Sequence, residues 1–138
     1  MDIDVTREVL ETLHRLAEAA HPHECCGLLL GAPGSPTAGE GRESIVAVRE
    51  SANVDPDPAI RFAIDPLILL KAHKAARTGG PPVLGYYHSH PTGKPAPSVT
   101  DCEHSTGDCR IWAIVAGGDV AFWRDRGNGF DPLAFQEV

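Results

Sequence analysis

A chain of 138 residues with 42% hydrophobic content is long enough for one core and too short to divide comfortably into two, so a single domain over residues 1–138 is expected. Its formal net charge of -7, from 12 Lys and Arg against 19 Asp and Glu, sets up a field that repels phosphate backbones and anionic lipid, so neither nucleic acid nor membrane is an expected partner. No run approaches the roughly 18 apolar residues that a bilayer span needs. Residues 1–10 carry charge where a secretory signal is apolar, so a cytoplasmic protein is expected, with Cys25, Cys26, Cys102 and Cys109 as free thiols.

The 14 glycines and 12 prolines sit in short clusters between apolar runs, the turn distribution of a folded α/β chain. Within residues 5–20, Val9, Leu13, Leu16, Ala17 and Ala20 recur at three-four spacing behind the capping residue Thr6, which predicts an amphipathic helix that Pro22 ends. Residues 25–31 form a short apolar run between turn residues and read as a buried strand with Glu24 at its mouth. After a loop over 32–41, Ile45, Val46 and Val48 support a strand over 44–50, so the two strands make a hairpin with a long tip. A turn-forming stretch over 53–59 and a short strand over 61–64 lead to Asp65-Pro66, a cap followed by proline at the first helical position, and the helix runs to about Thr78. Gly79-Gly80-Pro81-Pro82 breaks it, and residues 83–90 read as a strand that Pro91 terminates. Ser98-Val99-Thr100-Asp101 has the pattern of a helix start with Ser98 as cap. Strands over 110–116 and 119–123, joined at Gly117-Gly118, and a last one over 133–135 complete the chain.

His88-Ser89-His90 places two imidazoles two residues apart on a strand, so both point to one face and can share one ion. A catalytic zinc site takes three protein ligands and leaves a position for water. Asp101, returned by the proline-rich loop, is a candidate third ligand. Taken singly, each residue has a blander reading: a surface histidine, a helix cap made by Ser98 and Asp101, a solvated Glu24.

Taken together, Glu24, then His88-Ser89-His90-Pro91, six residues, and Ser98-Val99-Thr100-Asp101 resemble the motif of the JAMM metalloproteases, the catalytic MPN domain. The stretch His23-Glu24-Cys25-Cys26-Gly27-Leu28-Leu29-Leu30-Gly31 looks like that family's Glu-bearing strand, and Gly85-Tyr86-Tyr87 like the lead-in to its histidines. The likeness is greatest to the short, free-standing bacterial members. It implies an α/β fold, a mixed sheet flanked by helices as in cytidine deaminase. It also implies one zinc ion per chain on His88, His90 and Asp101. Glu24 is then the proton carrier for a water that attacks an amide bond, and Ser98 stabilises the oxyanion. The implied substrate is the C-terminal Gly-Gly tail of a small ubiquitin-like sulfur-carrier protein.

Three rival readings compete with this one. A zinc deaminase needs His-x-Glu and Pro-Cys-x-x-Cys, and neither pattern occurs. A cysteine hydrolase would use Cys25 or Cys26, yet a thiol in an apolar strand is usually inert packing. A non-catalytic MPN scaffold, an assembly platform, has generally lost metal-site residues that are all present here. Cys102, His104 and Cys109 are irregularly spaced and read as packing and surface groups, and Trp112 and Trp123 as core or sheet-face aromatics.

Overall fold

The computed structural model describes residues 2–138. Thr6 opens the first helix, α1 (Arg7–Ala20): its hydroxyl accepts the Val9 N–H, and Val9, Leu13 and Leu16 enter the core along one face. Before it lies a strand that the periodicity does not announce, β1 (Ile3–Val5), with both apolar residues fully buried. Three residues carry too little pattern to be separated from the helix that follows, and pairing with distant segments is what makes them extended.

Those distant segments are β3 (Glu43–Ile45) and β9 (Phe135–Glu137), and together they make a small parallel sheet of order β3-β1-β9. The larger sheet contains β2 (Cys26–Leu30), β4 (Ala47–Ser51), β5 (Val83–Ser89), β6 (Ile111–Ala116), β7 (Asp119–Asp125) and β8 (Phe130–Leu133). Its order is β4-β2-β5-β6-β7-β8, parallel between β5 and β6 and antiparallel elsewhere, so the sheet is mixed. The β2–β4 hairpin and the tight β6–β7 turn at Gly117-Gly118 are as expected.

Three expectations need correction. The strand over 44–50 is split, because adjacent Ile45 and Val46 cannot both face inward from one strand. Ile45 is buried in the small sheet, Val46 is left 38% exposed, and the Val46 N–H donates to Leu30 O where the chain crosses to the larger sheet. Residues 133–135 divide in the same way, with Leu133 in β8 beside β7 and Phe135 in β9 beside β1. The strand over 61–64 reduces to one bridge between Asn53 and Ile64. There the Asn53 side chain takes the place of a strand partner, donating to Arg61 O and accepting the Ala63 N–H.

Two more helices complete the layers. Asp65 accepts the Leu67 N–H at the start of α2 (Pro66–Arg77), which contacts β5, and Ser98 caps the short α3 (Val99–Glu103). Along β5, alternation sends Tyr87 into the main core with Val9, Leu13, Leu29, Ala113 and Phe122. Tyr86 and His88 go to the opposite face, beside Trp112 of the neighbouring strand. Gly85 is required by close approach: a Cβ there would lie 1.8 Å from Ile111 O, next to the irregularity where the β2–β5 register shifts.

Candidate metal centre

The end of β5 and the start of α3 bring three side chains to one point. His88 is fully buried, and its Nε2 lies 3.1 Å from His90 Nε2 and 3.2 Å from Asp101 Oδ2. His90 Nε2 is 3.1 Å from the same carboxylate oxygen. The rings share a face because the β-sheet ladder continues one residue past β5, where the His90 N–H donates to Val115 O at 2.8 Å. Asp101 arrives by helix capping. Its Oδ2 accepts the Ser98 N–H at 2.9 Å while Ser98 Oγ accepts the Asp101 N–H at 3.0 Å, a reciprocal capping box. The helix-cap reading and the ligand reading of this pair are therefore compatible, since one geometry serves both.

The donor set fits a small divalent cation. His90 Nδ1 sits 2.8 Å from Lys94 O. A carbonyl can only accept, so the neutral ring carries its proton on Nδ1 and turns its Nε2 lone pair to Asp101 and His88. His88 Nδ1 is buried without a partner, so that ring too directs its one engaged nitrogen at the cluster. His90 Nε2 and Asp101 Oδ2, two acceptors 3.1 Å apart, repel one another unless a proton or a cation joins them. Ligand atoms around tetrahedral zinc, with bonds of about 2.0–2.1 Å, sit roughly 3.3 Å from one another, close to the spacing seen. The Asp101 carboxylate keeps its charge at this point. Burial alone would raise the Asp101 carboxyl, yet the two imidazoles and the Ser98 N–H hold it well below the usual carboxylate range. Burial opposes charge on His90, but Asp101 and Lys94 O outweigh it and raise that ring, while burial pushes His88 down.

Glu24 stands beside this trio. One of its carboxylate oxygens lies within 4.8 Å of a ring nitrogen of each histidine. Its backbone is pinned on both sides: its N–H donates to Pro58 O at 2.7 Å, and its carbonyl accepts from Asn53 Nδ2 at 3.0 Å. The side chain is 6% exposed, and burial, with Asp101 and Asp55 adding and His90 opposing, moves its carboxyl up to about 7. Glu24, His90 and Ser98 line one open cleft of about 380 Å³, with Ile60 and Lys94 at its sides. The five residues singled out by the motif are thus brought together: three in direct contact, Glu24 next to the histidines, and Ser98 on the cleft wall.

Other supporting residues carry no sequence signal of their own. Phe62 stacks on the His88 ring, centroids 4.2 Å apart and planes at 15°, and Trp112 meets the same ring edge-on at 5.6 Å. Ser89, between the histidines, points the other way and accepts the Cys25 N–H at 2.9 Å, tying the residue after Glu24 to β5. Nothing in spacing identifies these contacts, because they depend on how separate elements meet.

The pattern describing the prokaryotic homologs of the JAB domain matches residues 6–126. A desampylase of Haloferax volcanii is 29% identical over 82% of this chain and 76% of its own length. A Thermus thermophilus protein named "Probable TtuB-protein conjugate cleaving protease" is 42% identical over 57% of this chain and 52% of its own. Among solved structures, a Desulfitobacterium hafniense protein superposes with a TM-score of 0.82 at 26% identity, covering 99% of this chain and 92% of that one. With the family pattern spanning the elements that build the site, the chain belongs to the prokaryotic homologs of the JAB domain, the short JAMM/MPN type.

Proposed function

We propose that the chain is a zinc-dependent isopeptidase or peptidase that cuts the amide bond at the C-terminal Gly-Gly tail of a small ubiquitin-like sulfur-carrier protein. The observation that carries this reading is the meeting of His88, His90 and Asp101 at 3.1 to 3.2 Å with Glu24 beside them in an open cleft. The relatives named as a desampylase and as a conjugate-cleaving protease support the choice of bond.

In this reading His88, His90 and Asp101 hold one zinc ion, which supplies Lewis acidity at the substrate carbonyl and acidifies the attacking water. Glu24 stays off the metal, takes a proton from the attacking water and passes it to the leaving amine. Burial already moves its carboxyl up to about 7 in the metal-free chain, away from the strongly acidic range in which it would not hold a proton. Ser98 Oγ accepts from the Asp101 N–H as a cap, so its own O–H remains to donate to the oxygen on which charge collects. Strand β4 is the outer strand of its sheet and ends at Ser51 near Glu24, so an extended tail can pair with it by main-chain hydrogen bonds. Recognition through backbone favours a slim Gly-Gly end.

The test is a sulfur carrier bearing an adduct on its C-terminal glycine, incubated with zinc-loaded protein. Release of the adduct should stop with chelator, return with zinc, and fall at least about 100-fold in Glu24→Gln. A zinc-loaded protein that trims no such tail contradicts the proposal.

A further inference from the structure

The loop over residues 91–97 supplies Lys94 O, the acceptor that fixes the proton of His90 on Nδ1. Among the described residues its main chain makes no hydrogen bond to other backbone groups. Its carbonyls are held by two side chains alone: His90 Nδ1, and the indole of Trp123, whose Nε1–H donates to Pro95 O at 3.1 Å. Lys94 is exposed, and Gly93 has a φ of 112°, so the loop has little else to keep it in place.

We propose that Trp123 is a positioning residue for His90, holding the adjacent Lys94 carbonyl through Pro95 so that the His90 Nε2 lone pair stays aimed at Asp101 and His88. Trp123 suits the task because it is fixed in β7, directly across from Trp112 and so on the sheet face that carries His88. An indole offers a donor and no acceptor, so only a carbonyl or similar group can satisfy it. Releasing Pro95 frees Lys94 O to turn to water, and His90 then exchanges between tautomers. The acceptor itself is main chain and no side-chain substitution removes it, which makes Trp123 the accessible handle. The His88 ring is held differently, by the face of Phe62, with no acceptor on its Nδ1.

The inference rests on His90 being a metal ligand, and the experiment separates the two. Trp123→Phe keeps an aromatic ring at this position and removes the N–H. Expected are zinc binding about 10-fold weaker by chelator competition, the lower end of the effect of losing an outer hydrogen-bond partner, and a His90 Nδ1–H proton whose NMR exchange is at least about 10-fold faster. Pro95→Gly loosens the other end of the tether without touching β7 and should move both readings the same way, so it decides the matter should Trp123→Phe fold poorly. An undisturbed N–H in both variants, or weakened zinc binding with that N–H still protected, overturns the relay. A wild-type protein that takes up no zinc overturns the proposed function instead, and N–H exchange in metal-stripped protein still decides the relay.

Discussion

Glu24 shows at the residue scale how burial and charge bear on both stability and chemistry. With its carboxyl moved from 4.5 to about 7, chiefly by burial, the folded chain prefers the protonated form. The corresponding stability is fully present below about pH 4.5 and is lost as pH rises through about 7. Glu24→Gln removes this dependence. Metal-stripped Gln variant should therefore melt above metal-stripped wild type at pH 8, and the gap should close below pH 4.5. Equal melting temperatures at pH 8 would show that burial does not disfavour the carboxylate. Ser98 has two separable duties. Ser98→Ala should lose about 1 kcal/mol of stability as a missing cap and about 10²- to 10³-fold in turnover as a missing donor, with zinc content unchanged. Denaturation and steady-state kinetics on one preparation measure both. His88, His90, Ser98 and Asp101 are legible in the sequence because two local rules, strand alternation and helix capping, aim them, whereas Glu24 is found through the family resemblance alone, its place being set by the distant Pro58 and Asn53. Phe62 and Trp123 are not legible, since their partners are chosen by the meeting of distant segments.

At the scale of elements, sequence patterns work where a hydrogen bond is local. Thr6, Asp65 and Ser98 each accept the N–H expected of a cap, and each helix begins where that cap requires. They fail where the partner is remote: β1 is extended because β3 and β9 flank it, and the apolar run at 44–50 divides between two sheets. The parallel β5–β6 pairing that sets His88 beside Ile114 and ties the His90 N–H to Val115 is likewise a tertiary fact. It depends on Gly85. A methyl group there meets backbone oxygen at 1.8 Å, which only strand separation can relieve. Gly85→Ala should cost about 3 kcal/mol, toward the upper end of overpacking. A shifted urea midpoint with unchanged slope is expected, and an unchanged midpoint would mean that β5 and β6 are less closely joined than described.

Across the whole molecule, the two sheets are fastened by a largely buried pair, with Arg124 of β7 donating to both oxygens of Glu43 in β3 at 2.5 and 3.1 Å. Such a pair is weak evidence for net stability but fixes the relation of the sheets, since removing either partner strands a charge. Cys25 and Cys26 sit poorly for nucleophilic work: burial raises the Cys25 thiol and pushes Cys26 up to about 12, away from the thiolate form. Among the described residues no helix is long and apolar enough to cross a membrane. What unites sheet, loop and helix is a single point where two rings and a carboxylate converge, and its metal content is the most direct measure of the account. Zinc per chain, measured after exhaustive dialysis, should be one for wild type and for Glu24→Gln and near zero for His88→Ala. A His88→Ala protein that keeps its zinc, or a wild type that binds none, would contradict it.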